Sequence, residues 1–120
     1  AFIGEPILGT GGIVPPPVGY WEKIQAVLKK YDIYFIADEV ICGFGRTGNM
    51  FGSQTFNMKP DSISVAKALS SAYFPIAAVT VGEEMYQAMI DESKKIGTFG
   101  HGFTYTAHPV GAAIAAETTE

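Results

Sequence analysis

The chain has 120 residues, 48% of them hydrophobic, with eight basic and twelve acidic side chains for a net charge of −4. This composition excludes a disordered or highly charged tail, and the acidic balance supplies no basic footprint for nucleic acid or anionic lipid. The longest apolar runs, near residues 33–37 and 75–82, fall far short of the roughly 20 residues of a membrane helix, and the single cysteine, Cys42, has no partner for an internal disulfide.

Residues 1–6 read as the end of a buried strand, and the alanine-rich stretch 112–117 as a helix without an exit signal, so the chain is expected to be an interior piece of a larger protein. Residues 9–17, with three glycines and three prolines, can continue neither a strand nor a helix, and Pro17 or Val18 can open the next helix. There Tyr20, Trp21, Ile24, Val27, Leu28 and Tyr31 recur at helical spacing, with Glu22, Lys23, Lys29 and Lys30 on the other face. The run 33–37 is continuously apolar and stops at Asp38 and Glu39, as expected of a strand covered on both faces in a parallel sheet.

Four glycines around Arg46 make 43–52 an irregular loop, after which 62–66 reads as a second strand running directly into Lys67. A loop over 70–75 leads to a third buried strand at 76–81. The link is too short for a parallel crossover, so this strand is expected to be antiparallel to its predecessor. A helix follows over 83–93 with Met85, Tyr86, Met89 and Ile90 as its inner face, then a glycine-rich loop over 97–111 and a final helix. The element order gives an α/β fold with a mostly parallel sheet and one antiparallel strand. Fourteen glycines, about twice the usual share, imply loops with unusual backbone angles or close backbone approach.

Ligands of open α/β sheets bind beyond the carboxyl ends of the strands, where Asp38 and Lys67 both fall. A lysine amine and a carboxylate are what pyridoxal phosphate needs: the amine holds its aldehyde, and the carboxylate keeps its ring nitrogen protonated so that the ring accepts electrons. Taken singly, Asp38 also reads as a cap or loop anchor and Lys67 as a solvated lysine. His101 and His108, seven positions apart and without a Cys or clustered carboxylate, lack metal-ligand spacing. A nucleotide-binding module is suggested by Gly9, Thr10, Gly11 and Gly12, but that stretch lacks the six-residue glycine fingerprint and runs into prolines.

The surrounding residues go further. Ala37-Asp38-Glu39-Val40, then Gly43-Phe44-Gly45-Arg46-Thr47-Gly48, then Ala66-Lys67-Ala68-Leu69-Ser70-Ser71, and later Thr104, Tyr105, His108 and Pro109 together resemble the class III (omega) aminotransferases, in order and spacing through essentially the whole chain. The resemblance implies a fragment of the large domain of a fold-type I enzyme, cut at both ends, covering residues 1–120. It makes Lys67 the catalytic residue, which binds the aldehyde of pyridoxal 5′-phosphate and moves the proton between substrate carbon and cofactor carbon.

On the same resemblance Asp38 pairs with the pyridinium nitrogen, Val40 packs against one ring face, and Thr104 with the backbone near Phe103 contacts the phosphate from the partner subunit. The implied assembly is therefore a homodimer with shared active sites. Glu5 matches an acid that supports cofactor-side hydrogen bonds, and equally reads as a loop anchor. Arg46 is expected to order the glycine-rich loop. The implied reaction moves an amino group from an omega-amino acid or amine to a 2-oxo acid, with aminomutase, racemase and decarboxylase chemistry as alternatives on the same scaffold. No nucleic acid or membrane partner is expected, and the expected location is cytoplasmic.

Departures from the family pattern narrow the acceptor. Thr10 stands where glutamate-using members carry a second glutamate, and Ile41 replaces a glutamine that often follows the valine. Both resemble the branch of omega-amino-acid or amine:pyruvate transaminases and pyruvate-using 4-aminobutyrate transaminases, so pyruvate is the expected acceptor. Ala72 and Ala77 stand where glycine is frequent, which matters if either needs a positive φ. The phosphate loop and ring-stacking aromatic of the family would precede Ala1 and its substrate-carboxylate arginine would follow Glu120, so the isolated chain is expected to be inactive and to fold poorly.

Overall fold

A computed structural model describes all residues, 1–120. Four strands form one sheet in chain order: β1 (Phe2–Gly4), β2 (Phe35–Asp38), β3 (Ser62–Val65) and β4 (Ala78–Val81). The first three are parallel, in registers running from Phe2 opposite Phe35 to Gly4 opposite Ala37, and from Ile36 opposite Ser62 to Asp38 opposite Ser64. β4 runs antiparallel to β3, with Ser62 opposite Val81 and Val65 opposite Ala78. The short link between β3 and β4 had required that direction.

Helix α1 (Tyr20–Lys30) carries the chain back from β1 to β2. It starts two or three residues later than the expected opening at Pro17 or Val18, because Gly19 takes up the left-handed conformation before it (φ 79°). Its inner face buries Trp21 and Leu28, which with Phe35, Ala37 and Met58 form the hydrophobic core. The Trp21 and Phe35 rings stack at 5.6 Å, and Phe2 meets both. The Trp21 indole N–H donates to the Pro6 carbonyl at 3.2 Å, so the ring is buried without an orphaned donor. Burial of side chains this size contributes about 2–3 kcal/mol each.

Strand β2 is buried only on the face carrying Phe35 and Ala37, whereas Ile36 and Asp38 are half-buried, so the expected two-sided cover is one-sided here. Strand β4 departs further: all four residues are exposed, with Val79 at 67%. It is the sheet edge, and no layer of this chain packs on it. Helix α3 (Glu83–Ile96) likewise buries no residue; Met85, Met89 and Ile90 are half-buried and Tyr86 is exposed. Its periodicity was legible, but a face has to have something to pack against before it is buried.

The loop 43–52 is irregular as its glycines required, and it leads into a one-turn helix, α2 (Gly52–Thr55), that periodicity could not register. The last helix, α4, runs from Pro109 to Thr119 and opens three residues earlier than the glycine pattern suggested, because proline sits comfortably in a first helical turn.

Candidate active site

The parallel registers set the site. With Gly4 opposite Ala37 and Asp38 opposite Ser64, the residues leaving β1, β2 and β3 at their carboxyl ends emerge along a single sheet edge. Glu5 follows β1, Asp38 ends β2 with Glu39 and Val40 after it, and Lys67 stands two residues past the end of β3. The structure thus brings Glu5, Asp38, Val40 and Lys67 to one edge of the sheet.

Asp38 is half-buried, and its Oδ1 accepts the Val40 N–H at 3.0 Å. Its Oδ2 has no donor in this chain. Lys67 is exposed, with no ion pair or side-chain hydrogen bond, so its amine is uncommitted. It opens a short 3₁₀ turn, Lys67–Ser70, from a left-handed backbone (φ 47°). Ser71 (φ 47°) and Ala72 (φ 65°) are left-handed too, whereas Ala77 is not. Each such residue costs roughly 1–2 kcal/mol, so the 67–72 segment holds strain that its surroundings must offset.

Glu39, beside Asp38 in sequence, is fully buried, and it was not singled out from the sequence. Its Oε2 and Oε1 accept the N–H groups of Gly52 and Ser53 at 2.9 and 2.6 Å. This carboxylate clamps the first turn of α2 to the strand end, fixing both ends of the loop between. Gly52 is required there: an added Cβ would come within 2.8 Å of Cys42 and Pro6. The acidic pair at a strand end before a glycine-rich loop was the available signal, but the partners lie 13 and 14 positions away. Cys42 is buried beside the clamp with its Sγ 3.8 Å from the Ile7 carbonyl, and desolvation pushes its thiol pKa up.

Glu5 Oε2 accepts the Gly9 N–H at 2.9 Å, so the carboxylate does anchor its loop, and Oε1 keeps no protein donor. Arg46 is exposed, forms no ion pair, and orders nothing through its side chain; the loop is held by Glu39 and by the Phe44 N–H donating to Met50. Phe103 and Thr104 lie in the exposed 97–107 segment, joined by no hydrogen bond to Asp38 or Lys67. The Phe103 N–H donates instead to Thr106 Oγ1 at 2.8 Å. His101 lies between Phe99 and Phe103, tilted to the first and edge-on to the second, and His108 lies tilted against Phe74 at 5.3 Å between centroids.

The donor set on the sheet edge fits pyridoxal phosphate. An uncommitted primary amine meets the aldehyde requirement, and a carboxylate with one free oxygen, partly withdrawn from water, meets the ring-nitrogen requirement. Val40, half-buried next to that carboxylate, supplies an apolar side chain.

The family described as "Aminotransferase class-III" matches residues 1–120. The chloroplastic gamma aminobutyrate transaminase 3 of Solanum lycopersicum is 63% identical over 118 residues, which are 98% of this chain and 23% of the relative. A solved structure described as a transaminase with L-ala superposes with a TM-score of 0.96 at 63% identity, over 98% of this chain and 28% of that one. The omega transaminase of Pseudomonas jessenii in complex with PMP gives 0.96 at 57% identity, over 98% and 26%. The chain thus spans about a quarter of the length of the proteins it matches. No helix is long and apolar enough to cross a membrane. A relative named chloroplastic does not support the cytoplasmic expectation.

Proposed function

We propose, from the premise that this chain belongs to the class III aminotransferases, that it is part of the large domain of a transaminase and contributes the lysine and the ring-nitrogen carboxylate of its active site. Class III aminotransferases depend on pyridoxal phosphate, and a relative 57% identical is described in complex with PMP, the aminated cofactor. The observation that carries the reading is the parallel pairing of β2 with β3, which delivers Asp38 and an uncommitted Lys67 to one sheet edge.

When bound, pyridoxal phosphate supplies an electron sink for the charge left on a substrate carbon that loses its proton. The chain's own residues do the rest. Lys67 Nζ would hold the aldehyde of the bound cofactor, and as a free amine beside the substrate would serve as the base and acid that moves its proton. The free Oδ2 of Asp38 would accept from the ring nitrogen of the bound cofactor, while Oδ1 stays tied to the Val40 N–H and fixes the carboxylate plane. Val40 would cover one ring face. Glu5 keeps Oε2 on Gly9 and supports cofactor-side hydrogen bonds through Oε1.

Thr104 and the backbone at Phe103, exposed and apart from Asp38 and Lys67, serve the site of a second copy by holding its phosphate. The working unit in this reading is a homodimer with shared sites. The donor is an omega-amino acid or amine and the acceptor pyruvate. Thr10 and Ile41 favour pyruvate, as does the relative described with L-ala, the product of pyruvate amination. A quarter of such a protein, with an uncovered β4 and α3, is inactive alone. The unpaired buried Cys42 fits a reducing compartment, for which we keep the cytoplasm; cell fractionation that recovers the protein in an organelle overturns that part.

The test is a labelled amine and pyruvate given to the full-length protein. Transamination leaves the label on alanine. Labelled product without alanine identifies aminomutase, racemase or decarboxylase chemistry and overturns the transaminase reading.

A further inference from the structure

The strained turn that carries Lys67 is held by a contact outside the site. Ser70 is 1% exposed. Its hydroxyl donates to the Phe74 carbonyl and accepts the Phe74 N–H at 3.4 Å, while the Ser70 carbonyl accepts the Tyr73 N–H at 2.9 Å. One side chain therefore closes the 70–74 turn across its two left-handed residues, Ser71 and Ala72.

The Phe74 ring is fixed in turn by α4. Gly111 is buried, and an added Cβ there would stand 2.7 Å from two atoms of that ring. The His108 imidazole lies on the ring's other contact at 5.3 Å, with Nδ1 buried and unpartnered, so it packs as a flat body and not through a polar bond. Lys67 sits three residues before Ser70 in a continuous 3₁₀ turn, in which the Leu69 N–H donates to the Ala66 carbonyl and the Ser71 N–H to the Ala68 carbonyl. The turn is too short to absorb a shift of Ser70 without moving Lys67, whose left-handed φ has no side-chain bond of its own to hold it.

We infer that Ser70 is a positioning residue for Lys67: through Phe74, seated against Gly111 of α4, it holds the lysine in the left-handed backbone from which its amine meets the aldehyde. This rests on Lys67 being the aldehyde-binding lysine.

The experiment mixes full-length apoprotein with pyridoxal phosphate and follows the growth of the visible absorption band, alongside the melting temperature. Ser70→Ala is expected to slow band growth about tenfold, the effect of losing one buried hydrogen bond, and Gly111→Ala, whose Cβ would displace the Phe74 ring, is expected to slow it as well. In transamination they lower kcat more than they raise KM. Ser62→Ala is the matched control, since Ser62 is equally a buried serine donating to a carbonyl, that of Thr80, at the far end of β3. It is expected to lower the melting temperature with band growth unchanged. If Ser70→Ala and Gly111→Ala lower the melting temperature but leave band growth as fast as in Ser62→Ala, the inference is overturned. If Lys67→Ala still forms the band at wild-type rate, the assignment of Lys67 fails instead, a result the other variants do not mimic.

Discussion

The two halves of the chain are built differently. Of the 17 buried residues, all but Gly111 lie at or before Ser70. The first half has its own core of Trp21, Leu28, Phe35, Ala37 and Met58, and its parallel strands fix Glu5, Asp38 and Lys67 along one edge. The second half has regular elements with almost nothing buried beneath them: β4 is exposed throughout, α3 buries no side chain, and Phe99, Phe103 and Tyr105 face outward. The first half carries its own core, whereas the elements of the second half bury almost nothing within this chain. Gly111 against Phe74 is the buried contact that ties the second half to the lysine turn.

Breaking the first half should have the largest consequence for stability. Trp21→Ala removes the centre of the aromatic stack and leaves a cavity, for an expected loss of about 3–5 kcal/mol in the denaturant unfolding of the full-length protein. A loss below about 1 kcal/mol would mean that the first half is not held by this core. Asp38→Asn should leave the fold intact and lower kcat by about 10²–10³-fold, because one electrostatic partner of the reacting system is gone. Steady-state kinetics with far-UV circular dichroism checks both parts.

Glu39→Gln keeps the size of the clamp but turns one of its two accepting oxygens into a donor, so that the Gly52 or Ser53 N–H loses its acceptor, for an expected cost of about 1.5–3 kcal/mol. Denaturant unfolding reads this too. The smallest structural effect is a gain: Ala72→Gly relieves a left-handed residue and should stabilise by about 1 kcal/mol, while Ala77→Gly should not stabilise. Differential scanning calorimetry separates the pair.

A weak pH effect belongs to the first half as well. Burial raises the Cys42 thiol pKa in the folded protein, so the unfolded chain gives up that proton first. Stability is then expected to fall as pH rises past the free-thiol value of about 8.5, a decline that Cys42→Ala should reduce.

The same division marks what could be read in the sequence. The three parallel strands were legible as short apolar runs, α1 as a period, and the antiparallel β4 from a link too short for a crossover. Asp38 and Lys67 were legible as the residues ending those runs. The conditional concern over Ala72 and Ala77 resolved to Ala72, since only it takes a positive φ. What was not legible depends on distance or on cover. Glu39 is buried because its N–H partners arrive from residues 52 and 53, which no local pattern announces. The exposure of Val79, Tyr86 and Ile96 depends on the layers available to cover them, and an apolar residue reads the same with or without a cover. Arg46 looked useful by its place among glycines, yet the loop is ordered by backbone bonds and a carboxylate.

The central claim is that Lys67 holds the cofactor. Borohydride reduction of the full-length protein loaded with pyridoxal phosphate, followed by proteolysis and mass mapping, tests it most directly. The account predicts loss of the visible band and a single reduced adduct on the peptide containing Lys67. An adduct on Lys59, Lys94 or any other lysine, with Lys67 unmodified, would contradict it.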